Sequence, residues 1–312
     1  MTNVSMKKIV ALSNLVTDLI QNISEEHMQS LGFEKGKFHI AETGEFEKLR
    51  KDLGEGTKIP GGSAANVVAG ATQLGAKTGL IGTLGNDEVG TFYKQDVLNR
   101  GIDDYIAEKQ GQSGVCHTFI TPDGERTFVL DFGVSQEFEI LGTQFENSHI
   151  FHTTAYELSG TKELTNKALE LAKEKGLEIS FDLADPGVVG NFKEEIRQAI
   201  TGAKIVFANE QEALTFTGKT DAHEALDEIA KLAEIAVVKL GEKGSLIKSR
   251  EEKHEIQIIP IENLVNTNGA GDAYAAGFLS AYSSGKTLKE AGEHGSAFAA
   301  KACMSQGARI SE

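Results

Sequence analysis

Short apolar runs alternate with longer segments of helical period along most of the chain, and this alternation limits the fold more than any other feature. Strands are predicted at residues 8–15, 78–84, 149–154, 178–183, 204–208 and 235–240, and helices at residues 64–74, 89–99, 161–175, 210–216 and 223–232. Alternation of this kind is typical of parallel strands joined by crossover helices. We therefore predict an α/β fold with a doubly wound, mostly parallel sheet and helices on both faces.

Two segments interrupt this rhythm. Residues 18–60 mix a polar strand, short charged helices and the Gly54–Gly56 loop, and residues 103–132 contain strand-like runs around Pro122-Asp123-Gly124. Asp-Gly is a strong hairpin signal, so a small β-rich lid inserted into the α/β domain explains both segments. The predicted division is a large domain of residues 1–17, 61–102 and 133–312, with residues 18–60 and 103–132 as the lid.

Composition excludes several classes of partner. The chain has 312 residues, 40% of them hydrophobic, which suffices for a large buried core. With 31 Lys+Arg against 46 Asp+Glu, its formal charge of -15 disfavours nucleic acid and anionic membranes. We see no signal peptide and no apolar run of the roughly 18 residues that a membrane span needs. Two distant cysteines, Cys116 and Cys303, predict reduced thiols in a cytoplasmic protein. We expect a monomer or a homodimer.

A glycine-rich turn at Gly269-Ala270-Gly271 precedes Asp272 and a run of small and apolar residues with helical spacing. The turn predicts a helix N-terminus, whose free N–H groups and dipole attract anions such as phosphate. Asp272 in the first turn has two interpretations. It is either a cap that complements the dipole, or a general base toward an acceptor hydroxyl beside the phosphate.

A second glycine-rich turn, Gly61-Gly62-Ser63, also leads into a helix of small residues. Ser63 is either a helix cap or part of a ligand site. Asn66 lies one turn into the helix, where its amide can reach a ligand hydroxyl.

Two further polar positions stand out. The segment Asn209–Glu212 directly follows an apolar strand. It is either a capping box or a pair of polar groups at the carboxyl end of a parallel strand, where Mg²⁺ can be held through its water shell. Asp18 lies among apolar residues and is either an exposed lid residue or an acceptor for a sugar diol.

Other nucleotide-site signatures are incomplete. Gly218-Lys219-Thr220 and Gly285-Lys286-Thr287 each match the end of a Walker A motif, but Ala213 and Ser280 replace the leading glycine. No G-x-G-x-x-G occurs, and the histidines and cysteines lack zinc-ligand spacing.

Taken together, the two glycine-rich turns resemble the two signatures of the ribokinase (PfkB) family in order and separation. Asn209–Glu212 is similar to the N-x-x-E element of the family, and Lys239–Gly244 to its nucleotide-side strand and turn. The resemblance covers nearly the whole chain and implies a ribokinase-like fold. Within the family, adenosine kinases are most similar, through Ser13–Asp18, the strand end Phe181–Pro186, and the stretch from Gly295 to Arg309.

The resemblance implies a role for each matching residue. Asp272 would be the catalytic base, with Gly269, Ala270 and Gly271 around the transferred phosphate and Arg126 as a lid arginine. Residues implied in acceptor binding are Asn14, Asp18, Gly61, Gly62, Ser63 and Asn66, with Phe132 and Tyr156 enclosing a purine. Residues implied in ATP binding are Asn209, Lys239, Gly241, Gly244, Asn268 and His294, and Glu212 with Asn209 would hold Mg²⁺ through water.

Three functions follow as expectations. The first is an ATP- and Mg²⁺-dependent kinase for the 5′-hydroxyl of a ribonucleoside, with adenosine the preferred acceptor. The second is a sugar kinase of the same family, acting on ribose or a related sugar, and the third is a noncatalytic nucleoside-binding protein. Asn266 replaces the usual aspartate of the second signature. A monovalent-cation site that depends on this carboxylate is therefore not predicted either way.

Overall fold

The computed structural model describes residues 6–41, 56–261, 264–265, 267–305 and 309. Of the residues singled out above, Gly54, Glu55, Asn266, Gly307 and Ala308 lie outside this part of the chain. The strands are β1 (Ile9–Leu12), β2 (Val16–Asn22), β3 (Phe38–Ile40), β4 (Thr57–Pro60), β5 (Thr78–Gly85), β6 (Asp103–Lys109), β7 (Gly114–Ile120), β8 (Arg126–Asp131), β9 (Ile150–Thr154), β10 (Glu178–Asp182), β11 (Ile205–Asn209), β12 (Ile235–Lys239), β13 (Ser245–Ser249) and β14 (Lys253–Ile256).

Ten α-helices are described, and most of them lie between strands of the larger sheet. They are α1 (Glu25–Ser30), α2 (Ser63–Gln73), α3 (Glu88–Arg100), α4 (Lys162–Glu174), α5 (Pro186–Asn191), α6 (Lys193–Ile200), α7 (Glu210–Thr217), α8 (Ala222–Ile229), α9 (Ala270–Ser283) and α10 (Leu288–Cys303). Helix α3 shows why the boundaries fall where they do. The Asp87 side chain accepts a hydrogen bond from the Gly90 amide at its start, and Gly101 ends it at a φ of 74°.

The larger sheet has nine strands in the order β14-β13-β12-β11-β10-β9-β1-β5-β6. The seven strands β12, β11, β10, β9, β1, β5 and β6 pair in parallel with their neighbours, and β13 and β14 add an antiparallel edge next to β12. The chain leaves β1 toward β5 on one side and returns to β9 on the other, so β1 marks the switch point of a doubly wound sheet. Open α/β sheets bind ligands at the carboxyl ends of strands beside such a point.

Both faces of this sheet are covered by helices. In β11, Val206 and Ala208 face one buried cluster with helices α4, α6 and α7, whereas Ile205 and Phe207 face another with α9 and α10. Side chains of a strand alternate between faces, so a continuous apolar run is what a strand buried on both sides requires. The predicted α/β class and the two helical layers are confirmed.

The smaller sheet has five strands in the order β3-β8-β7-β2-β4. Strands β7 and β8 form the predicted hairpin around Pro122-Asp123-Gly124. In this sheet Asp18 pairs with Cys116, and Cys116 with Leu130, so the three residues form one row across it. One boundary differs from the prediction. Strand β6, assigned to the lid, pairs with β5 at the edge of the larger sheet, because its backbone completes the parallel ladder there.

In the described part of the chain, no helix combines the length and apolar character needed to cross a membrane. Cys116 and Cys303 are both free thiols.

Candidate active site

Asp272 lies in the first turn of α9, directly after the glycine-led turn. Gly269 caps the helix with a φ of 76° and makes no side-chain cap bond. The two Asp272 carboxylate oxygens instead accept hydrogen bonds from another helix. Ser63 Oγ donates to Oδ1 at 2.7 Å, and Asn66 Nδ2 donates to Oδ2 at 2.9 Å. The carboxylate is therefore oriented between two helices rather than used as a cap.

The second glycine-rich turn brings α2 to this carboxylate. Gly62 has a φ of 90°, and a Cβ there would lie 2.5 Å from the Asn14 carbonyl oxygen. Only glycine fits this combination of left-handed backbone and close approach. The turn thus places Ser63 and Asn66 within reach of α9, although 206 residues separate Asn66 from Asp272.

Two carboxyl groups of the site have raised pKa values. Burial raises the pKa of Asp272 to about 6, against the lowering effect of the hydrogen bonds from Asn66 and Ser63. Burial likewise raises the pKa of Asp18 to about 6, where Arg309 lowers it and Asp272 raises it. The Asp272 charge therefore reaches Asp18, although the two residues lie on different elements of the chain.

Asn14 follows β1 at the switch point of the sheet. It is only 5% exposed, yet neither its Nδ2 nor its Oδ1 has a hydrogen-bond partner. Buried amides are nearly always paired, so an unpaired one calls for an explanation, and a ligand that satisfies its hydrogen bonds is one. Its backbone N–H donates to the buried Glu157 carboxylate at 3.1 Å, which holds the residue in place.

A buried ion pair lies on the other side of α9. Lys239, the last residue of β12, donates to Asp182 Oδ2 at 2.8 Å, and both side chains are largely buried. A Cβ on Gly271 would lie 3.2 Å from Lys239 Nζ, so the ammonium group sits beside the helix N-terminus. Burial lowers the pKa of Lys239, but the carboxylates Asp182 and Glu212 leave it above its ordinary value. The anion-attracting turn thus has a fixed cation beside it.

Asn209 and Glu212 form the capping box that the local pattern allowed. Asn209 N donates to Glu212 Oε2 at 2.7 Å, and Glu212 N donates to Asn209 Oδ1 at 2.8 Å. Burial and the Asp182 carboxylate together raise the pKa of Glu212 to about 7, against the lowering effect of Lys239. Mg²⁺ in kinase sites keeps several waters and relies on substrate phosphates. Glu212, being engaged with Asn209, fits contact with such an ion through water and not direct ligation.

The remaining predicted residues have no described hydrogen bond to Asp272 or Lys239. Tyr156 follows β9 and is 39% exposed. Partial burial, followed by the charges of Asp185 and Asp272, raises the pKa of its hydroxyl. Arg126 pairs with Ile120 at the turn end of the hairpin, four residues or about 13 Å from the row that holds Asp18.

Five more predicted residues lie after β8, around the turn after β12, near the start of α9 or on α10. Phe132 follows β8 and is partly buried, and Asn268 and His294 are exposed near the start of α9 and on α10. Gly241 and Gly244 bound the turn after β12. A Cβ on Gly244 would lie 1.9 Å from the Ile256 carbonyl oxygen, so close packing against β14 already requires this glycine.

Sequence reasoning missed a set of residues that hydrogen-bond to the predicted site residues and hold them in place. Arg309, Asp96 and Tyr93 form a buried cluster against Asn66, and Asp182 and Glu157 hold Lys239 and Asn14. Buried charged residues are rare unless paired. Asp182 at a strand end carried a recognisable signal, whereas nothing local in the sequence distinguished Asp96 or Glu157.

Comparisons with known proteins agree with this geometry. The pfkB family carbohydrate kinase model matches residues 38–312. A 5-dehydro-2-deoxygluconokinase of Geobacillus thermodenitrificans is 30% identical over 262 residues, 78% of this chain and 78% of that protein. A cytidine kinase of Thermococcus kodakarensis is 29% identical over 76% of this chain and 85% of its own length. The solved structure of adenosine kinase from Sinorhizobium meliloti superposes with a TM-score of 0.86, at 27% identity, over 98% of this chain and 96% of that one. On its sequence, its doubly wound fold and its paired glycine-led helices, the chain belongs to the pfkB family of carbohydrate kinases.

Proposed function

We propose that the protein transfers the γ-phosphoryl group of ATP to the 5′-hydroxyl of a ribonucleoside, with adenosine the preferred acceptor. The observation that carries this proposal is the Asp272 carboxylate. It is oriented by Ser63 and Asn66 at the mouth of a glycine-led helix, and its pKa lies near neutrality. A carboxylate in that place suits a general base that takes the proton of an attacking alcohol.

The same helix start provides the electrostatics of the transfer. Backbone N–H groups of Gly269 and Gly271 and the helix dipole favour negative charge at this point, whereas the Ala270 N–H donates to the Thr267 carbonyl oxygen at 3.2 Å. Lys239 adds a fixed positive charge beside Gly271. Phosphoryl transfer depends mainly on such positioning and charge stabilisation. Glu212 and Asn209 would hold Mg²⁺ through its water shell, and the ion would supply charge neutralisation for the phosphates.

The acceptor side favours an uncharged diol. The Asp272 charge raises the pKa of Asp18, so both groups add negative charge to this side of the site and an anionic acceptor between them would be repelled. A ribose offers hydroxyl donors to Asp18, and the unpaired amide of Asn14 supplies both a donor and an acceptor. This arrangement suits a nucleoside or a neutral sugar better than a sugar acid such as 5-dehydro-2-deoxygluconate. Tyr156, partly exposed at the same edge, favours the nucleoside.

Acceptor preference is the direct test of this proposal. With Mg-ATP, we expect kcat/KM in an ADP-release assay to be highest for adenosine, lower for cytidine and ribose, and lowest for 5-dehydro-2-deoxygluconate. Formation of the 5′-monophosphate is checked by mass spectrometry, and excess chelator serves as the control for metal dependence. Turnover of the sugar acid above all nucleosides would overturn the proposed acceptor, and full activity in chelator would overturn the mechanism.

The rate is expected to fall as the pH is lowered through about 6. Asp272 must be ionised to accept a proton, and Asp18 must be ionised to accept from the diol, and both have pKa values of about 6. Because kcat/KM reports the free enzyme, its logarithm should fall with a slope approaching two below this pH, whereas kcat should fall with a slope near one. A pH-independent kcat/KM between pH 5 and 8 would contradict the role of both carboxylates.

A further inference from the structure

Arg309 makes an unusual number of buried contacts around the acceptor side of the site. Its Nε donates to Asn66 Oδ1 at 3.0 Å, and its Nη2 donates to the Gly61 carbonyl oxygen at 3.3 Å and to Tyr93 Oη at 2.9 Å. Tyr93 Oη donates in turn to the same Gly61 oxygen at 2.6 Å. One guanidinium group therefore holds two residues of the glycine-rich turn and its helix.

The counter-charge of Arg309 comes from α3. Its Nη1 lies 2.5 Å from Asp96 Oδ2, with only 4% of the Arg309 side chain exposed. Asp96 is shared with Arg100, whose Nε donates to its two oxygens at 3.0 and 2.9 Å. Arg100 is thus a second arginine on the same carboxylate, and its described bonds do not extend to the glycine-rich turn.

We propose that Arg309 is a positioning residue for phosphoryl transfer, which fixes the amide of Asn66 and, through it, the carboxylate of Asp272. This inference rests on the proposed function of Asp272 as the base. Arg309 does not itself touch the reacting atoms in the proposed arrangement. It would act through Asn66 Oδ1 on one side and through the Gly61 carbonyl oxygen on the other.

The physical reason lies in the two ends of the Asn66 amide. Its Oδ1 accepts from Arg309 and its Nδ2 donates to Asp272, so the guanidinium permits only one orientation of the amide. Without Arg309 the amide can rotate and present its oxygen to the carboxylate, which removes one bond that orients the base. A carboxylate that is less well oriented lowers the rate far more than it weakens acceptor binding, because the reacting groups must be closely aligned for transfer.

A second effect of Arg309 is electrostatic. Burial dominates the raised pKa of Asp18, and the Arg309 charge opposes it. Removing that charge should therefore raise the pKa of Asp18 further and move the acid limb of kcat/KM to higher pH. Within the part of the chain that the structure describes, the charged and titratable groups that interact with Asp18 include Arg309, Asp272, Cys116 and Tyr93.

The test compares Arg309→Met and Arg309→Lys with the matched control Arg100→Met in the full chain. We expect Arg309→Met to lower kcat by about 10- to 100-fold, in the range typical of residues that orient a reacting group. Its acid limb of kcat/KM should move to higher pH. Arg309→Lys keeps the charge but not the planar fork, so its acid limb should stay near that of the wild type while kcat remains low. Arg100→Met should stay within about threefold of the wild type, because Arg100 makes no described bond to the glycine-rich turn and its i,i+4 pair with Asp96 is of a kind that contributes little.

The outcomes separate this inference from the proposed function. If the wild type transfers no phosphoryl group to any acceptor, the proposed function fails. If the wild type is active and folded Arg309→Met keeps its kcat and pH profile, the positioning role is wrong. If Arg309→Met does not fold, Arg309→Lys decides, since an unchanged kcat in that variant would also overturn the role.

Discussion

Replacing Asp272 by asparagine is expected to lower kcat by about 10²- to 10⁴-fold while leaving the Kd for the nucleoside within a few-fold. The amide has nearly the same shape as the carboxylate but cannot accept the proton of the attacking hydroxyl. Single-turnover kinetics and calorimetric titration with adenosine would measure the two quantities separately. Asp221→Asn is the matched control, because Asp221 caps α8 away from the site and asparagine caps equally well.

The same substitution should make the protein more stable. Burial raises the pKa of Asp272 to about 6, so the folded state binds its proton more tightly than the unfolded chain does. Above that pH the ionised carboxylate costs stability, and the cost disappears as the pH falls toward 4. At about 1.4 kcal/mol per pKa unit, removing the ionised carboxylate stabilises the folded state by about 3 kcal/mol. The new amide loses one hydrogen bond, which reduces this gain by about 1 kcal/mol. Urea unfolding at pH 8 should show a net gain of about 1–2 kcal/mol.

The two measurements also separate an enzyme from a noncatalytic nucleoside-binding protein. An enzyme loses turnover and gains stability in Asp272→Asn, whereas a pure binder has no turnover to lose. An Asp272→Asn variant that keeps wild-type kcat would show that Asp272 is not the base.

Replacing Lys239 by methionine is expected to lower the free energy of unfolding by about 3–5 kcal/mol. The substitution leaves the Asp182 carboxylate buried without its ammonium partner, and breaking one side of a buried ion pair costs this much. The double variant Lys239→Met with Asp182→Asn should recover part of the loss, because no unpaired charge remains. Urea denaturation of both variants and of Asp182→Asn alone closes a double-mutant cycle.

A matched surface lysine controls for the loss of charge alone. Lys248 on β13 lies 2.7 Å from Asp227, with the two side chains 32% and 47% exposed. Lys248→Met should change the free energy of unfolding by less than about 1 kcal/mol. Equal losses in Lys239→Met and Lys248→Met would contradict the assignment of Lys239 to a buried, structurally coupled pair.

The layered fold was predictable because the signals for it are local. A strand buried on both faces must be apolar throughout, as in Ile205–Ala208, and a crossover helix must show a helical period. The hairpin at Pro122-Asp123-Gly124 was equally predictable from turn chemistry. Strand β6 was assigned to the wrong layer because edge strands carry no strong pattern, and its partner β5 is set by the twist and order of the whole sheet.

The amino-acid sequence by itself determined the two glycine-led helix starts, since the backbone at Gly62 and Gly269 needs φ values that side chains disfavour. It also determined which polar residues follow the central strands. Only the tertiary structure decided that Ser63 and Asn66 orient Asp272, that Lys239 pairs with Asp182, and that Arg309 reaches Gly61. Such contacts join residues far apart in the chain, and their stability comes from mutual burial of charge, which no local pattern records.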